Sequence, residues 1–281
     1  MLGTAPPAES ALHHHVLSFH WDGFEPHLIA FDRIARKVDE IPLDGLAMRI
    51  GAERRCVGRF DDAGYHPCPS ERRVGRFSTC QPCAGPWIPV QACVFEPQCN
   101  GDRCDHPEFC MRKHLVYLAS FGNLIKVGMT SAARLRERAI EQGADAVRPL
   151  FECSDRREAR ALEKETSARF RIPQEIRSAR TARGWNRRPS REEMSNVQAH
   201  YLKRIARWRE PLEAELEFLD GYPLHRLPRS PPGVAAVEGL HRGEVLGIKG
   251  RYLLYRDART GNPLLLDLGD LPSRSVALLD P

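Results

Sequence analysis

Eight of the nine cysteines in this 281-residue chain fall within residues 56–110, a segment too poor in apolar clusters to build a hydrophobic core of its own. Such a stretch folds around metal or behind disulfides, and the compartment decides which. The N-terminus, Met1-Leu2-Gly3-Thr4 through Ser10, lacks the basic start and long apolar core of a secretory leader. No run of eighteen apolar residues is present, which predicts no membrane span. The expectation is a cytoplasmic protein with reduced thiols, and metal binding follows from it.

The spacing divides into two tetrahedral sets. Cys80-Gln81-Pro82-Cys83 is a Cys-x-x-Cys knuckle, which lets two thiolates reach one Zn²⁺ at ~2.3 Å. Cys56 and Cys68 are its nearest partners, with His66 in reserve. The second set is Cys93, Cys99, Cys104 and Cys110, or the last three with His114. One or two structural Zn²⁺ ions are therefore expected, since a closed four-ligand site leaves no position for water. A redox pair is the rival for Cys80 and Cys83, although no strand–helix context of the thioredoxin kind precedes them. Cys153 stands apart as a small buried residue.

Around this segment the chain reads as α+β. Residues 1–10 form a disordered tail, 11–55 a β-rich segment, 56–113 the cysteine-rich segment and 114–190 a small α/β domain. Residues 191–221 follow as a helical segment, with Tyr201, Ile205, Trp208, Leu212, Leu216 and Leu219 at helical spacing. Residues 222–281 are again β-rich, and the two β-rich ends are candidates for one barrel-like module. His13-His14-His15 opens a strand-like run.

Net charge is +5, but residues 171–209 alone hold eleven Lys/Arg against three Glu, so the remainder carries about −3. Arg177, Arg180, Arg183, Arg187 and Arg188 surround Trp185. A basic stretch punctuated by an aromatic reads as a track for DNA or RNA, bound through phosphates without sequence preference. A solvated helix face would have the same composition. No Gly-rich phosphate loop, dinucleotide fingerprint or Ser-His-Asp arrangement is present, and oligomeric state is left open.

The most specific pattern lies at 115–163. Leu115-Val116-Tyr117-Leu118-Ala119 and Leu124-Ile125-Lys126-Val127-Gly128 flank Gly122-Asn123, a hairpin signal. Ser131-Ala132-Ala133-Arg134-Leu135-Arg136-Glu137-Arg138 suits a helix, and Asp155 with Glu158 has capping-box spacing for a second. This order resembles the GIY-YIG endonuclease superfamily, with Leu115-Val116-Tyr117 and Lys126-Val127-Gly128 as its two signature strands. The resemblance implies a small antiparallel sheet with helices. It further implies a catalytic set in which Tyr117 orients the attacking water, Arg136 meets the phosphate and Glu163 holds one Mg²⁺ or Mn²⁺. Lys126 stands where the family has its second tyrosine, positioned to contact phosphate. The order of cysteines, Val116-Tyr117-Leu118-Ala119, Lys126-Val127-Gly128-Met129-Thr130 and Glu141-Gln142-Gly143-Ala144-Asp145-Ala146 is also similar to an uncharacterised bacterial and archaeal family, domain of unknown function 2797.

Three functions follow as expectations. The first is a zinc-containing nucleic-acid-binding protein that cleaves phosphodiesters with a divalent ion. The second is a non-catalytic DNA- or RNA-binding module. The third is an enzyme of other chemistry, in which Lys126, Arg134, Arg136 and Arg138 line a pocket for a nucleotide or small anion.

Overall fold

The computed structural model describes residues 12–84, 93, 96–97, 107–188 and 190–279. The predicted tail, Cys99 and Cys104 lie outside the described residues. The chain divides into two compact units, one formed mainly by residues 1–85 and 232–281 and the other mainly by 86–223.

In chain order the first unit begins with β1 (His14–Asp22), β2 (Glu25–Asp32), β3 (Lys37–Glu40) and β4 (Leu46–Arg54), then β5 (Arg59–Asp61) and β6 (Gly64–His66). The second unit supplies β7 (His114–Phe121), β8 (Leu124–Ser131), α1 (Leu135–Gln142), β9 (Ala146–Cys153), α2 (Arg156–Phe170), α3 (Ser178–Gly184), α4 (Arg191–Ala206) and β10 (Glu217–Phe218). The chain then returns to the first unit with β11 (Gly233–Val234), β12 (Gly239–Lys249), β13 (Tyr252–Asp257), β14 (Pro263–Asp267) and β15 (Arg274–Leu278).

Both β-rich ends enter one nine-stranded sheet, ordered β11-β14-β13-β12-β4-β15-β1-β2-β3. β4 from the N-terminal part lies between β12 and β15, and alternation along it buries Leu46, Met48 and Ile50. The hairpin β5–β6 forms a separate two-stranded ribbon beside the cysteines.

The second unit is a four-stranded sheet, β10-β9-β7-β8, with β7 internal and every residue from Val116 to Ser120 buried. Gly122, at φ 62°, begins the two-residue β7–β8 turn, and its N–H donates to Asp145 Oδ2 at 2.7 Å. One face packs Val116, Leu118, Ile125 and Val127 on Ala159, Leu162 and Phe170 of α2 and on Ile205 of α4. The α2 cap is the expected one: Asp155 accepts from the Glu158 N–H at 2.8 Å, and Glu158 accepts from the Ser154 N–H at 2.9 Å. Among the described residues no helix is long and apolar enough to cross a membrane.

Two elements depart from the expected pattern. Ser131 still pairs with His114 as the last residue of β8, so residues 132–134 form a 3-10 turn and the α-helix starts only at Leu135. The helical spacing across 191–220 holds only to Ala206. Pro211 cannot continue a helix, the Leu212 N–H instead donates to Leu150 O at 2.7 Å, and Glu217–Phe218 pairs with β9.

Candidate functional site

Two places gather chemistry-bearing side chains. In the first unit, Cys56, Cys68, Cys80 and Cys83 bring their sulfurs within 4.8 Å of one another. Cys68 Sγ and Cys80 Sγ lie 3.8 Å apart, matching the ~3.8 Å edge of a tetrahedron whose corners are ~2.3 Å from a central ion. Backbone geometry builds this. The Gly58 and Cys80 N–H groups donate to Cys56 Sγ at 3.4 and 3.2 Å, and the Cys83 and Ala84 N–H groups both return to Cys80 O. Gly58 has φ 80°, and a Cβ there would fall 2.2 Å from His66 O, so no other residue fits the loop.

Burial pushes the thiols of Cys56 and Cys83 up. At Cys68 burial acts in the same sense, but the Arg72 and Ser70 N–H groups together with hydrogen bonds to the Cys56 and Cys83 thiols bring the thiol down to about 7. A coordinated cation removes this conflict by holding all four as thiolates. His66 is not part of the group, because its Nε2 bonds Asp61 Oδ1 at 2.8 Å. All seven described cysteines are free of disulfides. Of the second expected set, Cys93 and Cys110 are partly buried, and His114 is engaged through Nδ1 with Arg112 O at 2.7 Å.

The second place lies in the four-stranded unit. Tyr117 on β7 faces Gly128 on β8, and a Cβ at 128 would lie 2.6 Å from both Cζ and the hydroxyl of Tyr117. The glycine therefore makes room for the phenol. Tyr117 is fully buried, donates to Gln142 Oε1 at 3.1 Å at the end of α1, and is pushed up to about 12 by burial. Lys126, two residues before Gly128 and so on its face of β8, is 9% exposed. Burial and then the Arg138 charge draw its ammonium down to about 8, against the pull of Glu163 and Glu175.

Glu163 on α2 is 5% exposed. Burial raises its carboxyl, although Arg160 Nη1 donates to its Oε2 at 2.6 Å and Lys126 also favours the charged form. Arg160 also donates to Gln174 at 3.0 Å and Glu96 at 3.1 Å. The Glu163 Oε1 takes no hydrogen bond among the described residues, which leaves it open to a cation.

The structure brings Tyr117, Lys126 and Glu163 within electrostatic reach of each other but places Arg136 elsewhere, exposed and donating to Glu217 at 2.8 Å. Arg138, two positions on, is the guanidinium whose charge acts on both Tyr117 and Lys126. Arg134 pairs with Glu137 and Glu141. In the basic stretch, Arg177 and Arg180 are exposed at α3, Arg183 lies on the same helix, and Arg188 is exposed. Arg187 pairs with Glu193, and Trp185 is 9% exposed, so its ring offers no open stacking surface.

Sequence reasoning missed Gln142 and Arg160, whose roles depend on helix phase. It also passed over a small possible metal group of His13, His14 and Asp32. Asp32 is the cross-strand partner of His14, which spacing along one strand does not reveal.

No curated protein and no solved structure matches the chain significantly. A family model described as protein of unknown function (DUF2797) matches residues 44–264, a span that includes the four clustered cysteines and the Tyr117, Lys126 and Glu163 group. The chain belongs to the DUF2797 family.

Proposed function

We propose that this is a zinc-containing nucleic-acid-binding protein whose four-stranded unit is a GIY-YIG-like core that cleaves phosphodiesters with one divalent ion. The carrying observation is a buried lysine and a buried glutamate beside Tyr117 and Arg138, in a unit whose helices also carry exposed arginines. Buried charges of this kind are costly and mark sites that meet a charged ligand. Lys126 and Arg138 supply positive charge for phosphate oxygens. The free Oε1 of Glu163 suits Mg²⁺ or Mn²⁺, which commonly takes one carboxylate and keeps its waters. The ion would polarise the phosphate and lower the pKa of a bound water. Tyr117 stays neutral and hydrogen-bonded, so it orients a water and does not deprotonate it. Arg138 takes the phosphate-facing role that the family resemblance assigns to Arg136. The four cysteines, closed around Zn²⁺, are structural.

The deciding assay incubates wild type, Glu163→Gln and Tyr117→Phe with labelled single-stranded, duplex and branched DNA and RNA in Mg²⁺ or Mn²⁺. Cleavage lost in Glu163→Gln with binding retained supports the reading, because the amide keeps shape but not charge. Cleavage that survives this change removes Glu163 from the mechanism. The Arg160–Glu163 ion pair, which satisfies one carboxylate oxygen without any metal, favours a second reading of binding without hydrolysis. Retention on nucleic acid with no cleavage by the wild type would establish it.

A further inference from the structure

A cavity of about 570 Å³ opens beside the edge strand β8, between the β7–β8 turn, the segment after α2, α3 and α4. Tyr201, Pro173 and Ile176 give it apolar and aromatic walls, and Asn123, Asn196 and His200 bring polar edges. Arg171 and Arg180 also line it. Neither has a carboxylate partner among the described residues, whereas Arg134, Arg138, Arg160, Arg169, Arg187 and Arg191 of the same unit each do. Two guanidiniums without a carboxylate partner on one cavity suit an anion.

The backbone adds an independent observation. Arg171 caps α2 in the left-handed conformation, at φ 56°, where glycine is the usual residue and a side chain is strained. A strained arginine at a cavity points from the outlier to a use.

Resting on the function proposed above, we infer that this cavity is a subsite for one nucleotide of a single strand. Arg171 and Arg180 hold the phosphate, the base lies against Tyr201 beside His200 and beside Arg204, whose guanidinium sits 5.6 Å from that ring, and the amides meet its edges. Every base has a face to stack, so such a site takes single strands with little sequence preference, and a paired base cannot enter it. Its position gives it a purpose. The segment after α2 crosses the β8 edge, with Pro173 O accepting from the Val127 N–H at 3.0 Å. Gln174, next in that segment, bonds Arg160, which bonds Glu163. A base seated in the cavity anchors the strand at the β8 edge, where Ile125 lines the cavity and Lys126, the next residue, turns to the opposite face of the sheet.

The test uses the full chain. Fluorescence anisotropy with labelled single-stranded and duplex DNA and RNA, and separately with a labelled nucleoside 5′-monophosphate, is compared for wild type, Arg171→Gly, Arg180→Ala and Tyr201→Ala. Arg171→Gly suits the left-handed backbone and removes the whole side chain with its guanidinium. Each arginine change should weaken single-strand binding about tenfold and lower the slope of log affinity against log salt by ~1. Tyr201→Ala should weaken it between about fivefold and a hundredfold. The arginine variants should melt no lower than wild type. Single-strand binding that is unchanged in both arginine variants overturns the subsite while leaving the proposed function standing. Mononucleotide binding that needs Arg171 and Arg180, without retention of any polynucleotide, keeps the pocket as a free-nucleotide site and overturns the proposed function. Binding of neither probe overturns both.

Discussion

Replacing Lys126 with methionine should make the protein more stable and less able to bind its ligand. Lys126 is almost wholly buried, and its ammonium loses its proton near about 8 in place of 10.5. At about 1.4 kcal/mol per pH unit, keeping it charged at neutral pH costs the folded state ~3 kcal/mol. Methionine has similar length, no charge and good packing adaptability. That cost already includes the attraction to Glu163; with imperfect packing of the thioether, the net stabilisation should be ~1–2 kcal/mol, or about 2–8 °C in the unfolding midpoint of that unit. The sign with pH follows from linkage. Between about pH 8 and 10.5 the unfolded lysine holds its proton and the folded one does not, so wild-type stability rises across that window. The advantage of Lys126→Met is therefore greatest at and below pH 8 and vanishes near 10.5. Urea unfolding followed by fluorescence at several pH values, beside anisotropy with single-stranded DNA at pH 7, measures both effects. A variant less stable than wild type at pH 7, or a stability gap that stays constant from pH 7 to 10, would refute this account of the buried lysine.

Purified protein should carry at least one tightly bound Zn²⁺, and Cys83→Ser should lose one equivalent by elemental analysis and become sensitive to proteolysis around residues 56–84; zinc-free protein that is equally resistant would contradict this. Gly128→Ala drives a methyl into the Tyr117 ring and should cost ~1–3 kcal/mol in denaturant unfolding, partly recovered in combination with Tyr117→Leu. Wild-type stability in the single variant would show that the ring is not held there. Arg171→Gly should gain ~0.5–1 kcal/mol by relieving the left-handed cap, and a loss of stability would mean that the guanidinium is structural.

The parts of the fold that local chemistry controls were legible in the sequence. Gly122-Asn123 made its hairpin, Asp155 capped its helix, and Cys56, Cys68, Cys80 and Cys83 came together as their spacing suggested. The parts that failed depend on tertiary competition. Which arginine of α1 turns toward Tyr117 is a matter of helix phase: Arg138 is the one whose charge acts there, while Arg136 pairs with Glu217. The helical stripe past Ala206 lost to Pro211 and to strand pairing with β9. Trp185 looked like a stacking residue by composition and is instead packed inside, while Tyr201 on the helical stripe both packs on the core and lines the cavity.

The interleaving of β4 between β12 and β15 has a consequence during synthesis. About 180 residues separate β4 from β12. At ~5–20 residues per second, β4 leaves the ribosome roughly 10–40 s before either of its neighbours in the sheet exists, while β1, β2 and β3 can already pair with one another. During that interval the whole four-stranded unit can emerge and fold from local contacts, while β4 presents unpaired edges on both sides. Loop closure over so long an intervening segment is slow, and exposed edges invite pairing with other chains. A chain cut short before β12 therefore has every strand of the four-stranded unit but leaves β4 without a partner on either edge.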